Sequence, residues 1–235
     1  MGREILFGDR LTLNVDIVYV MHYKPLGERL THIKQMMQSQ NIDFVVFDME
    51  PEKDLDEYFI DSLDVRKQKF SLFPGNQPTK DVKRSEISLA YKHVKALEHM
   101  VENKYQKALF LEDDAILCND FANVANHFVE QTPEDWDMIF PGNGCNLRIH
   151  PSKIRQNQVA YKKDHPATKC TDSYFIKLSA ATKLLTTIKP FNIAIDWELN
   201  YQLKHHDFNV YWFEPFLVQQ GSSGAGTGIW KTTIN

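Results

Sequence analysis

The chain has 235 residues, of which 25% are charged and 43% hydrophobic, and its formal net charge is −4. The many hydrophobic residues exclude an intrinsically disordered chain, and the lack of a basic excess argues against a nucleic-acid partner. Three cysteines are too few for a disulfide framework. No signal peptide is recognised, and no apolar run approaches the ~20 residues of a transmembrane segment. We expect a cytoplasmic protein, free or peripheral to a membrane, with a single domain over residues 1–235.

The first part of the chain predicts a strand, a helix and a second strand. Residues 16–21 and 43–49 are short apolar runs rich in β-branched side chains, which are typical of buried strands. Residues 26–40, between them, place apolar side chains at helical spacing. Such a unit of about 30 residues is the size of a βαβ motif, in which the two strands are parallel. Residues 50–80 predict a long connection.

The rest of the chain continues the alternation of helices and strands, which predicts an α/β fold with a mostly parallel sheet. A helix is predicted over residues 85–103, with Ser85 as the candidate N-cap. The further predicted elements are, in chain order, strands over 107–111 and 136–140, a loop with one short strand near residue 159 over 145–170, a strand over 172–178, helices over 179–188 and 196–205, and a strand over 209–213.

Three consecutive carboxylates, Glu112, Asp113 and Asp114, directly follow a predicted buried strand. Because burying an unpaired carboxylate is costly, these side chains should lie at the strand end and face something positive. The carboxyl ends of strands are the usual ligand sites of open α/β sheets, and Mg²⁺ and Mn²⁺ prefer carboxylate and phosphate oxygens. The triplet predicts a metal or phosphate site, with a solvated turn as the alternative. Side-chain alternation puts Glu112 and Asp114 on one side and Asp113 on the other.

Six segments of the chain match, in order, the motifs of one known family. They are residues 85–98, 108–115, 135–142, 171–185, 195–197 and 213–221. Their counterparts are a Gly-Glu-Ile-Gly-Cys-x-x-Ser-His helix, a strand that ends in Leu-Glu-Asp-Asp, and segments built around Trp-Asp, Gly-Tyr-Ile-Ile, Pro-Ile-Asp and Pro-x-Leu-x-x-Gln. Together they resemble glycosyltransferase family 25, which includes lipooligosaccharide and collagen galactosyltransferases.

This resemblance implies a Rossmann-like GT-A fold with a mostly parallel mixed sheet. It also implies an enzyme that moves a hexose, galactose or glucose, from a UDP-sugar donor to a glycan or to hydroxylysine of a protein acceptor. The implied cofactor is Mn²⁺ or Mg²⁺, with Asp114 in contact with the metal and Glu112 at the donor ribose or a metal-bound water.

The resemblance further implies inversion at the anomeric carbon, which needs a base to take the proton of the acceptor hydroxyl. Asp196 matches the late acidic residue of the family and is the expected base. The alternative is that Asp196 only caps the helix that follows it. Glu198 is the second candidate for the base.

The donor site is also assigned by resemblance, although the chain departs from the family there. The family's first strand usually ends Asn-Leu-x-Arg-Arg-x-Asp-Arg, and only Arg29 matches the last Arg. Tyr23 is a candidate to stack on uracil, with packing as the alternative, and Lys92 replaces a Ser. The tail over residues 221–235 is expected to be flexible or to cover the donor. The expected donor-binding residues are Asp113, Met21, His22, Tyr23, Arg29, Arg84, His93, Gln219 and Gln220.

Two other functions remain open at this point. The first is a metal-dependent phosphoryl-transfer enzyme or nuclease, for which Asp48 and Asp137 are further acidic candidates. The second is a non-catalytic GT-A-like domain that binds a nucleotide sugar. Separately, a cysteine–histidine pattern is open to three interpretations: a zinc site, a Cys145–Cys170 disulfide, or unrelated residues. Its members are Cys145, His150, His165 and Cys170.

Overall fold

The computed structural model describes residues 12–48, 83–189, 193–222 and 229–230. The predicted connection over residues 50–80 lies outside this part of the chain. The described elements are β1 (Ile17–His22), α1 (Gly27–Ser39), β2 (Val45–Asp48), α2 (Arg84–Glu102), β3 (Lys107–Glu112), β4 (Ala115–Leu117), α3 (Phe121–Glu130), β5 (Met138–Phe140), β6 (Ala160–Lys162), β7 (Ser173–Lys177), α4 (Leu178–Thr187), α5 (Ile195–His205), β8 (Val210–Phe213) and β9 (Val218–Gln220).

Seven of these strands form one sheet in the order β2-β1-β3-β7-β5-β8-β6. Strand β1 is parallel to β2 and β3, and β5 is parallel to β8. Strand β7 is antiparallel to both β3 and β5, and β6 is antiparallel to β8. All strands of this sheet except β6 and β7 therefore run in one direction, while β4 and β9 form a separate antiparallel pair. The expected α/β fold with a mostly parallel, mixed sheet is confirmed.

The sheet is buried on both faces, because successive side chains of a strand point to opposite sides. In β3, Phe110 belongs to a hydrophobic cluster with side chains of α2, α4 and α5. Its neighbours Leu109 and Leu111 belong to a second cluster with side chains of α1 and α3. One layer of helices thus covers each face. Among the described helices, none is long and apolar enough to cross a membrane.

Helix α2 begins one residue earlier than the sequence suggested. Lys83 is its N-cap, so Ser85 lies inside the first turn and its predicted role as the cap is wrong. The backbone N–H of Lys83 donates to Oε2 of Glu86 at 2.8 Å. Glu86 therefore stands at the third helical position, where a carboxylate satisfies the N–H of the capping residue.

Candidate functional site

The acidic triplet lies at the carboxyl end of β3, as predicted from the sequence. Strand β1 ends beside it, since Met21 is in register with Glu112. Strand β7 begins there, because it runs antiparallel to β3. The backbone N–H of Glu112 donates to the carbonyl oxygen of Asp172 at 3.0 Å. Three strand ends thus meet at the sheet edge where α/β folds usually bind ligands.

Within the triplet, Asp113 does not border the cavity described below and forms a buried charged cluster with β1 and α1. Its carboxylate lies 2.9 Å from the guanidinium of Arg29 and 2.9 Å from Nδ1 of His22, and it accepts the N–H of Tyr23 at 3.1 Å. Burial opposes the charge, but hydrogen bonds from His22, Tyr23 and Arg29 outweigh it and lower the pKa of Asp113. Glu112, by contrast, contacts Thr171 at the cavity, so these two neighbouring carboxylates have different partners. Donor contact by the Asp113 cluster stays a prediction.

Glu112 faces a cavity of about 200 Å³ beside helix α5. Its Oε1 accepts the hydroxyl of Thr171 at 2.7 Å. Burial and the neighbouring Asp114 carboxylate raise the pKa of Glu112 to about 8. The walls of this cavity also include Glu86, Leu89, Thr171, Asp196, Trp197 and Gln220.

Two further carboxylates near Glu112 have buried oxygens with no hydrogen-bond partner among the described residues. In Asp114, Oδ1 lacks a partner, whereas Oδ2 accepts the N–H and the hydroxyl of Ser222. In Asp172, both carboxylate oxygens lack a hydrogen-bond partner among the described residues. Burial and the carboxylates of Glu112 and Asp114 raise the pKa of Asp172 well above its ordinary value. Such groups are costly unless a cation binds them or a proton neutralises them.

The residues at this edge fit a hard divalent cation. Asp114 offers an unpartnered buried oxygen and Glu112 a carboxylate that faces the cavity. Mg²⁺ is usually bound through one or two carboxylates, with water and substrate phosphates completing its coordination. Within the described ranges, no group of three or more His, Cys, Asp or Glu side chains is arranged to hold a metal by itself. The four residues of the zinc alternative therefore do not form a closed site.

Asp196 lies at the same cavity as Glu112. It is the second residue of α5, and the N-cap of that helix is Ala194, so Asp196 is not the capping residue. Its role as the base stays a prediction. Its Oδ1 accepts the N–H of Trp197 at 2.9 Å. Burial raises the pKa of Asp196. The fold thus brings the expected base and an expected metal residue together, although 84 positions of chain separate them.

The segment after β8 returns to the acidic triplet. In β9, Gln219 lies opposite Ile116, and Gln220 lies opposite Ala115 and borders the cavity. The N–H of Gly221 donates to the carbonyl oxygen of Asp114 at 2.8 Å. Only Gln220 of the two glutamines borders the cavity, and donor contact by either stays a prediction. Most of the predicted donor-covering tail, residues 223–228 and 231–235, lies outside the described part of the chain.

The remaining expected donor residues are Met21, His93 and Arg84. Met21 is buried in β1. His93 is buried against Phe110 and Tyr174, with Nδ1 2.9 Å from the Tyr174 hydroxyl. Burial lowers the pKa of His93 to about 3, so the ring is neutral at physiological pH. The side chain of Arg84 lies outside the described residues. Donor contact by these side chains stays a prediction.

Asp172 and Thr171 were missed by the sequence reasoning. Asp172 is the first residue of the strand predicted over residues 172–178, and this place at a strand end was the available signal. In a parallel sheet that position lies at the edge opposite the carboxyl ends. Because β7 is antiparallel to β3, the start of β7 instead lies beside Glu112. Finding this residue required the direction of the strand, which the periodicity of the sequence does not give.

Comparison with known proteins identifies the family of the chain. The chain matches the model of glycosyltransferase family 25, described as an LPS biosynthesis protein, over residues 16–199. This range covers more than half of the chain and includes both the acidic triplet and Asp196. The protein is a glycosyltransferase, and the chain belongs to family 25.

Other comparisons add little to the description of the site. Among solved structures, the chain is similar to A197 from STIV, with 15% sequence identity and a TM-score of 0.40. The similarity covers 83% of this chain and 80% of that chain. A search of curated proteins found no match.

Proposed function

We propose that this glycosyltransferase is a metal-dependent, inverting hexosyltransferase with a GT-A fold. Its donor is a UDP-sugar, UDP-galactose first and UDP-glucose second, and its acceptor is a glycan such as lipooligosaccharide or hydroxylysine of a protein. One observation carries the proposal: Glu112 and Asp196 border one cavity at the carboxyl edge of the sheet. A general base for the acceptor proton and a metal-binding carboxylate for the leaving diphosphate together serve direct displacement at a sugar carbon.

Asp196 acts as the base in this proposal. Its position in the first turn of α5 and the hydrogen bond from Trp197 orient the carboxylate at the cavity. Because burial raises the pKa of Asp196 toward physiological pH, its carboxylate is a stronger base than an exposed aspartate. The acceptor oxygen attacks the anomeric carbon on the face opposite the leaving UDP, and its proton passes to Asp196. Attack on the opposite face inverts the configuration.

Glu112 and Asp114 hold the divalent cation, Mn²⁺ or Mg²⁺, in this proposal. When bound, such an ion supplies Lewis-acid stabilisation of the negative charge on the leaving diphosphate. Ser222 donates its N–H and hydroxyl to Oδ2 of Asp114. These bonds fix the carboxylate and leave Oδ1 as the oxygen that would bind the cation. The hydroxyl of Thr171 orients Glu112 in the same way.

The phosphoryl-transfer alternative finds less support, because one of its further acidic candidates, Asp137, lies apart from the triplet. Asp137 precedes β5 and accepts the N–H of Asn209 at 2.9 Å. Since β5 runs in the same direction as β3, Asp137 lies at the opposite edge of the sheet. Asp48 ends β2 at the same edge as the triplet, in register with His22, but it is exposed and its carboxylate lies 3.8 Å from the amine of Lys24.

Thermal unfolding with UDP tests the metal-dependent donor site. At a UDP concentration of about 100 Kd, we expect a stabilisation of about 2.7 kcal/mol that raises Tm only when Mn²⁺ is present. The metal is needed because the triplet by itself repels a diphosphate. Asp114→Asn should remove this Mn²⁺-dependent shift, whereas Asp207→Asn, at an exposed carboxylate just after α5, should keep it. An equal UDP shift in the presence of a chelator would contradict the proposal.

A further inference from the structure

Cys145 and Cys170 form a pair of thiols at the rim of the cavity. Their Sγ atoms lie 2.9 Å apart, although 25 positions of chain separate them. Both are free thiols, and Cys145 is exposed to solvent. Cys170 borders the cavity that contains Asp196 and Glu112. The pair therefore connects an accessible surface position to a wall of the proposed active site.

The backbone around the pair is built for this close approach. Cys145 and Cys170 have φ angles of 53° and 60°, in the left-handed region that non-glycine residues rarely adopt. Gly144 allows the two segments to touch, since a Cβ there would lie 1.9 Å from the carbonyl oxygen of Lys169 and 2.9 Å from Cβ of Cys170. The buried amine of Lys169 donates to the carbonyl of Gly142 at 3.0 Å and anchors one segment to the other.

The two sulfur atoms differ in reactivity from the third cysteine. The hydrogen bond with Cys170 lowers the pKa of Cys145, which favours the thiolate form of Cys145 over that of an ordinary cysteine. The thiolate is the nucleophile in thiol–disulfide exchange. Burial raises the pKa of Cys118, whose sulfur belongs to a different part of the fold beside α1 and α3. Cys118 is therefore the matched control for the pair.

We propose that Cys145 and Cys170 are a reversible redox modification site that reacts with small-molecule disulfides such as oxidised glutathione. The Cys145 thiolate attacks one sulfur of the small disulfide and displaces the other half as a thiolate. Cys170 then loses its proton to solvent and attacks Sγ of Cys145, which forms the intrachain bond and releases the second half. Two electrons pass from the protein to the small disulfide, which ends as two thiols, and excess thiol reverses the reaction.

The consequence is a covalent bond between the exposed segment at Cys145 and the cavity wall at Cys170. The exchange chemistry itself is independent of the proposed hexosyltransferase activity. Only the location of the bond at an active site rests on that proposed function. The two claims are separable, because mass and thiol content report the exchange without any substrate.

Intact-mass analysis of reduced protein treated with oxidised glutathione tests the proposal. Wild type should lose two hydrogen atoms in mass and two of its three thiols. Cys170→Ser should instead accumulate one glutathione adduct at Cys145, because it lacks the resolving thiol, and Cys118→Ser should behave as wild type. A wild type that keeps its adduct, as Cys170→Ser does, or that keeps all three thiols would overturn the proposal.

Thermal unfolding gives a second measurement on the same samples. A bond that closes a loop of 25 positions restricts the unfolded chain, so oxidised wild type should unfold several degrees above the reduced protein. Cys145→Ser should show no such shift under the same treatment. Equal Tm values for oxidised and reduced wild type would contradict a bond that fixes the cavity wall.

Discussion

Replacing Asp196 by Asn should lower kcat for hexose transfer by about 10²- to 10⁴-fold, the usual contribution of a general base. An amide cannot take the proton of the acceptor hydroxyl, whereas the shape of the cavity is preserved. The affinity for UDP should stay nearly unchanged, because the expected metal residues are on β3 and in the turn after it, not on α5. Single-turnover transfer rates and UDP titration, measured on the same preparation, separate these two effects.

The control for this variant is Glu198→Gln, which removes the second candidate base on the same helix. Glu198 is fully buried, and its Oε1 accepts the side-chain amide N–H of Gln202 at 2.7 Å. We expect this variant to retain most of the transfer rate once its Tm shows that it is folded. Retained transfer in Asp196→Asn would remove Asp196 from the role of base, and lost transfer in folded Glu198→Gln would assign that role to Glu198.

Replacing Arg29 by Met should lower the free energy of unfolding by about 3–5 kcal/mol, the usual cost of removing one partner of a buried ion pair. Both side chains of the Arg29–Asp113 pair are less than one-tenth exposed. Without Arg29, the Asp113 carboxylate remains buried beside His22 but loses the positively charged guanidinium that pairs with it. Urea unfolding at pH 7 measures the difference.

The exposed pair Lys24–Asp48 provides a matched control. Its atoms lie 3.8 Å apart and both side chains are more than 40% exposed, so Lys24→Met should cost under about 1 kcal/mol. A loss in Arg29→Met as small as in this control would contradict the importance of the buried cluster.

The buried Arg29–Asp113 pair also gives wild-type stability an expected dependence on pH. The pKa of Asp113 is lower in the folded protein than in the unfolded chain. Its contribution is therefore present above the unfolded pKa of about 3.9 and is lost as the pH falls through the folded value. Between about pH 5 and pH 3, wild type should lose more stability than Arg29→Met. Equal losses over this range would show that the ionisation of Asp113 does not stabilise the fold.

The sequence predicts the central strands and the acidic triplet well because the signals there are local. Buried runs followed by three carboxylates define both β3 and its functional end, and side-chain alternation separates Asp113 from Glu112. Helix α3 was missed, although Phe121, Ala125 and Phe128 lie on its buried face. Its polar residues, Asn123, Asn126, His127 and Glu130, lie on the other face at helical spacing, so the signal for this helix was present in the sequence.

Contacts between distant segments were beyond the reach of sequence patterns. Asp172 joins the site only because β7 runs against β3. The Cys145–Cys170 pairing was left open among three interpretations, since spacing alone does not bring two thiols together. The left-handed backbone at both cysteines and the contact at Gly144 are properties of the folded chain.

A crystal structure with Mn²⁺ and a UDP-sugar is the most direct test of the proposed metal-dependent donor site. Anomalous scattering from Mn²⁺ identifies the ion independently of the rest of the density. The proposal predicts an anomalous peak in contact with the carboxylate of Asp114, with the diphosphate on the same ion and the sugar in the cavity beside Asp196. A Mn²⁺ peak away from the acidic triplet, or a UDP-sugar bound elsewhere on the protein, would contradict it.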